Sequence, residues 1–144
     1  MSEKYILLVE DNPDDVLLTQ LAFQKNHIAN KMEIARDGAE ALDFLEQAKA
    51  THNLPTVILL DLKLPKVDGL EVLKHIRSDK ETKFMPVVIL TSSKQEQDIV
   101  AGYELGANSY IVKPVDFENF IDAVHQLGLY WLLLNQSPDQ KLHD

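Results

Sequence analysis

Five short apolar runs, at residues 5–9, 32–35, 57–60, 87–90 and 109–112, punctuate this chain, and the stretches between them repeat their apolar residues at helical spacing. The runs at 5–9, 57–60 and 87–90 are continuous instead of alternating, as expected for strands covered on both faces. Strict alternation of strand and helix demands right-handed crossovers and a parallel sheet with helices on both faces. The expectation is therefore a small doubly wound α/β domain, and five strands fit the order 2-1-3-4-5 best.

Local signals mark the helix starts. Asn12, Pro13, Asp14 and Asp15 supply a cap, a proline at the first helical position and acids in the first turn, ahead of a stripe read as Leu17, Leu18, Leu21 and Ala22. Asp37 and Glu40 form a capping-box-like pair opening a helix that buries Ala41, Leu42 and Leu45. Asp68 and Gly69 precede a third helix with Val72, Leu73 and Ile76 on one face. A fourth is expected over about residues 94–106, weakened by Gly102, and a last one from Phe117, with Phe120, Ile121, Val124 and Trp131 recurring on one side.

At 144 residues the chain has the length of one domain, and 45% hydrophobic content is enough for a real core. A net charge of −9 repels the phosphate backbone, so no direct nucleic-acid binding is expected. With no cysteine, disulfides, thiolate catalysis and cysteine-held metals are excluded. The amino terminus lacks a signal-peptide pattern and no apolar run nears the ~20 residues of a membrane span, so the expected setting is cytoplasmic, with no membrane partner. The five histidines are scattered without ligand spacing.

In open parallel sheets the ligand site lies beyond the carboxyl ends of the strands. Here those ends read Glu10 and Asp11 after the first run, Asp61 after the third, Thr91 after the fourth and Lys113 after the fifth. Singly, each has a structural explanation: a capping turn for the first two acids, a turn for Asp61, a helix cap for Thr91, a solvated loop for Lys113. The order 2-1-3-4-5 nevertheless brings all of these ends into one pocket. Two unit charges 4 Å apart repel by about 4 kcal/mol at an effective dielectric near 20, so three clustered carboxylates call for a cation. Hard oxygen ligands suit Mg²⁺. A carboxylate beside such an ion can attack a phosphoryl group, which makes Asp61 the candidate nucleophile, Lys113 the ammonium that offsets phosphoryl charge and Thr91 a hydroxyl donor.

Residues 10–13, 61–69, 91–93 and 109–114 together resemble the receiver domains of two-component response regulators, and the similarity runs over about residues 4–130. The resemblance implies a flavodoxin-like fold in which Asp61 accepts a phosphoryl group from the phosphohistidine of a sensor histidine kinase. It implies that Asp11, Asp61 and the backbone carbonyl of Lys63 hold Mg²⁺ and that Glu10 acts through a metal-bound water. Thr91 and Tyr110 would form the switch pair, Lys113 would meet the phosphoryl group, the Lys113–Pro114 bond would be cis, and Lys63 and Ser93 would tune hydrolysis of the acyl phosphate. The stretches 61–69, 108–114 and 128–132 are also similar to stand-alone receivers that partner bacterial phytochrome kinases.

The expected organisation is thus a receiver over residues 4–134 and a tail over 135–144, with no enzymatic turnover and output through protein contacts, to a phosphotransfer or target protein. The last helix carries more apolar residues than one buried stripe uses, and Leu129, Tyr130, Leu132 and Leu133 are expected to form a homodimer interface. Three other readings compete. A nucleotide or flavin binder of similar architecture would need a Gly/Ser/Thr-rich first loop where acids stand here. An aspartyl phosphatase would place a second aspartate two residues after its nucleophile, where Lys63 stands. A phosphorylation-independent interaction domain would have lost an acid, the threonine or the lysine, and none is missing.

Overall fold

The computed structural model describes residues 4–25, 30–91, 96–107, 109–112 and 122. Its elements alternate as expected: β1 (Tyr5–Val9), α1 (Pro13–Lys25), β2 (Lys31–Ala35), α2 (Gly38–Ala50), β3 (Val57–Leu60), α3 (Gly69–Ser78), β4 (Val87–Thr91), α4 (Glu96–Glu104) and β5 (Ser109–Val112). The five strands form one sheet in the order β2-β1-β3-β4-β5, with every neighbouring pair parallel. The last helix expected from Phe117, the tail and the residues Leu129, Tyr130, Leu132 and Leu133 lie outside the described residues, as do Ser93, Lys113 and Pro114.

Strand periodicity divides the core into two layers. Leu7, Val9, Ile58, Leu60, Val87 and Ile89 point to one face, where Ala41 and Leu45 of α2 and Val72, Leu73 and Ile76 of α3 cover them. Ile6, Leu8, Val57, Leu59, Val88 and Leu90 point to the other, against Val16, Ala22 and Phe23 of α1. Burial on both faces explains why the runs at β1, β3 and β4 show no alternation.

The helix starts follow the local code. Asn12 Oδ1 accepts from the amides of Asp14 (2.8 Å) and Asp15 (3.3 Å), and the Asn12 carbonyl takes the first intrahelical bond, from Val16. Asp37 caps α2 by accepting from the Glu40 amide at 2.8 Å, and Asp68 caps α3 by accepting from Leu70 at 2.8 Å. One stripe differs from expectation. Helix α1 buries Val16, Thr19, Ala22 and Phe23, while Leu17 and Leu21 are 54% and 44% exposed. The cap at Asn12 sets the helix rotation, Val16 and Phe23 seven residues apart claim the sheet-facing side, and Thr19 is tolerated there because its hydroxyl donates to the Asp15 carbonyl at 2.8 Å.

Candidate functional site

Register places the acids. Val9 of β1 pairs with Leu60 of β3, and the Asp61 amide donates to the Val9 carbonyl at 3.0 Å, so the residues leaving the two strands stand side by side. The Glu10 amide donates to the Ala35 carbonyl of β2 at 2.9 Å and holds that side of the crevice. Carboxylate oxygens of Glu10, Asp11 and Asp61 all lie within 4.8 Å of one another. Glu10 and Asp61 are buried, at 1% and 6% exposure, whereas Asp11 is exposed. The expected cluster is thus assembled, with two acids walled by the sheet and one facing out.

Backbone amides reach into the cluster. Asn12 donates its amide to Glu10 Oε2 at 3.3 Å, and Lys63 donates its own to Asp61 Oδ1 at 3.2 Å. These bonds orient both side chains. The donor set is all oxygen, on short stems and with two of three groups shielded from bulk water, which fits a hard divalent cation and not a soft metal. The geometry therefore suits a divalent cation of the expected kind.

The loop after Asp61 closes tightly on it. Gly69 packs so near that a Cβ there would collide with the Asp61 carbonyl oxygen and lie 2.6 Å from the Leu62 Cα. Its amide donates to the Leu62 carbonyl at 3.0 Å, and Leu64 donates to the same oxygen at 3.1 Å. Leu62 is buried, Leu64 and Val67 pack on the core, and Lys63 and Lys66 are exposed.

Thr91 closes β4, and its backbone pairs with Val112, one rung beyond the level of Asp61; Tyr110 of β5 pairs with Ile89. Both strand ends thus border the crevice at backbone level, while the side chains of Thr91 and Tyr110, like all of Lys113 and Ser93, lie outside the described part of the structure. Sequence reasoning missed the contact of Asp37 and Gly38 with the loop after Asp61. A glycine inside a first helical turn, where it lowers helix propensity, was the signal that could have found it.

Comparison with known proteins agrees with this geometry. The model of the response regulator receiver domain matches residues 6–125. The chain belongs to the response regulator receiver family. Response regulator Rcp1 of Synechocystis sp. is 41% identical over 131 residues, which is 90% of this chain and 89% of that protein. The crystal structure of the Mn²⁺-bound form of Rcp1 matches with TM-score 0.81 at 39% identity, covering 94% of this chain and 99% of that one. The phosphorylated cyanobacterial phytochrome response regulator RcpA matches with TM-score 0.85 and 40% identity, over 95% of this chain and 99% of that one. The bacteriophytochrome response regulator AtBRR is 51% identical with TM-score 0.74, over 94% of this chain and all of that one. As a receiver, the chain is a two-component signalling protein with a divalent-metal pocket, and the flavodoxin-like reading of its fold holds. Among the described residues no helix is long and apolar enough to cross a membrane.

Proposed function

We propose that this receiver accepts a phosphoryl group on Asp61 from the phosphohistidine of a sensor histidine kinase, and that the kinase is a bacterial phytochrome. The convergence of Glu10, Asp11 and Asp61 at the mouth of the sheet is the observation that carries the phosphoacceptor reading. Asp11, Asp61 and the Lys63 carbonyl would hold Mg²⁺, with Glu10 acting through a metal-bound water, and the ion would offset the carboxylate charge and the charge on the phosphoryl oxygens.

The protein's residues do the rest. Asp61, oriented by the Lys63 amide, presents one carboxylate oxygen to phosphorus. The new O–P bond forms as the P–N bond to the kinase imidazole breaks, and that nitrogen keeps the electron pair. With a proton already on the other ring nitrogen of the phosphohistidine, the products are an aspartyl phosphate and a neutral histidine. Lys113 and Thr91 contribute an ammonium and a hydroxyl to the phosphoryl oxygens. The single charge of the Asp61 carboxylate gives way to a dianionic phosphoryl group, a net gain of about one negative charge together with new acceptor oxygens, and these draw Thr91 inward and give Tyr110 room to turn, which alters the β4–β5 side.

The likeness to the phytochrome response regulator RcpA and the bacteriophytochrome response regulator AtBRR supports the phytochrome partnership. Residues 4–134 are taken as the receiver and 135–144 as its tail, in a cytoplasmic protein that turns over no substrate of its own. Leu129, Tyr130, Leu132 and Leu133 are the proposed homodimer contacts, and downstream output passes to a protein target. The deciding experiment is intact mass after incubation with acetyl phosphate, with and without Mg²⁺, on wild type and Asp61→Asn. The expected result is a metal-dependent phosphoryl adduct absent from the variant. A folded protein that forms no adduct would overturn the phosphoacceptor reading in favour of a phosphorylation-independent interaction domain. Transfer from an autophosphorylated bacterial phytochrome then tests the partner, and transfer only from kinases of other classes would sink the phytochrome assignment.

A further inference from the structure

The loop that carries Lys63 is not shaped by its own residues alone. Its far side leans on the first turn of α2, which belongs to the crossover between β2 and β3. The Gly38 amide points at the Pro65 carbonyl at 3.4 Å, and Lys66 Nζ stands 3.5 Å from Asp37 Oδ2. Gly38 is buried against the loop backbone. A Cβ there would overlap the Val67 carbonyl oxygen and lie 2.6 Å from the Val67 carbonyl carbon and 2.7 Å from its Cβ. Most of those atoms are backbone, so no side-chain rotation can relieve the overlap. Lys66, between Pro65 and Val67, has φ of +67°, a left-handed conformation that a non-glycine residue holds only when its surroundings impose it.

From this juxtaposition we infer that Gly38 and the turn it opens are positioning residues for the metal site: they fix the course of residues 63–68 and thereby hold the Lys63 carbonyl where the ion needs it. The inference rests on the metal-site reading given above. It runs against the ordinary rule for helices. Ala is the better helix former, so Gly38→Ala in a free first turn would leave the protein as stable or more so. Here the added methyl displaces the loop backbone, and the displacement runs through Val67 and Lys66 toward Lys63. Asp37 acts in the same direction through Lys66 while also capping α2.

The test uses Mn²⁺ as the probe, titrated by electron paramagnetic resonance into metal-free wild type, Gly38→Ala, Lys66→Pro and Gly106→Ala, with circular dichroism to confirm folding. Lys66→Pro attacks the same contact from the loop side, because proline cannot take φ of +67°, and it decides the matter if Gly38→Ala does not fold. Gly106, with φ of +92° and its Cβ direction filled by Arg77, controls for general strain at a glycine on the α4–β5 turn. Gly38→Ala and Lys66→Pro should each weaken Mn²⁺ binding tenfold or more and speed amide hydrogen exchange over residues 62–69 in the metal-free protein, while Gly106→Ala keeps Mn²⁺ affinity within twofold. A folded Gly38→Ala or Lys66→Pro with wild-type affinity overturns this inference alone, and so does an equal loss in Gly106→Ala. Wild type that binds no Mn²⁺ overturns it together with the metal-site reading.

Discussion

Asp61 and Tyr5 sit at opposite ends of the sheet and show how one scaffold treats two buried polar groups. At the carboxyl end, Asp61 is buried beside two other acids. Asp61→Asn removes one of three like charges, so the expected outcome is a metal-free protein as stable as wild type or more so, together with loss of the phosphoryl adduct. Urea denaturation and intact mass check the two halves, and a marked loss of stability would contradict the repulsion argument. At the amino end, the Tyr5 hydroxyl donates to the Asn53 carbonyl at 2.5 Å, and its ring meets Phe44 edge-on. Burial, then the neighbouring Glu33 carboxylate, push the Tyr5 phenol from 10.0 up to about 12. Because the folded value is the higher one, the stability linked to Tyr5 is complete below pH 10 and is lost as pH climbs toward about 12. Absorbance titration should show a late-ionising tyrosine that is missing in Tyr5→Phe, and identical titrations of the two proteins above pH 10 would count against this.

At the scale of elements, what was legible in the sequence is what a single physical constraint dictates. Continuous apolar runs at β1, β3 and β4 could only be strands buried on both faces, and the caps Asn12, Asp37 and Asp68 declared their helices. The three acids were legible because strand order carries the ends of β1 and β3 to one place. The buried face of α1 was not, since Leu17 and Leu21 are more apolar than Thr19, and only the back-bond from Thr19 to Asp15 makes the polar residue acceptable inside. Nor was the role of Arg77. Its Nε and Nη2 donate to the Gly106 carbonyl at 3.1 and 2.7 Å, and Nη1 donates to the carbonyls of Met85 at 2.7 Å and Lys83 at 3.2 Å. One side chain at the end of α3 thus ties the entry of β4 to the α4–β5 turn, a link between distant segments that no local pattern announces. Lysine keeps the charge but lacks the planar fork, so Arg77→Lys is expected to cost about 2 kcal/mol in chemical denaturation. A change under about 0.5 kcal/mol, the size usual for surface substitutions, would show the tie to be incidental.

For the whole molecule, the decisive quantity is the distribution of charge. The net −9 disfavours compaction everywhere, and the cluster of Glu10, Asp11 and Asp61 concentrates part of that repulsion at one end of the sheet. Any salt relieves the diffuse part by screening, with a Debye length of about 8 Å at 0.15 M. Only a divalent cation seated among the three acids relieves the local part, and it does so by binding the folded state. Linkage then sets the scale: at a concentration one hundred times its Kd, Mg²⁺ should add about 2.7 kcal/mol of stability. For a chain of this length each kcal/mol is worth roughly 2–4 °C, so the melting temperature should rise by about 5–10 °C. The control is NaCl at matched ionic strength, which should give a smaller rise, equal in wild type and Asp61→Asn, whereas the Mg²⁺ increment should shrink in the variant. If NaCl reproduced the whole Mg²⁺ effect, or if Asp61→Asn kept it in full, the acids would be a solvated surface and not a metal site. The same experiment bears on the site itself, because an ion seated among the three acids offsets their mutual repulsion before any phosphoryl group arrives.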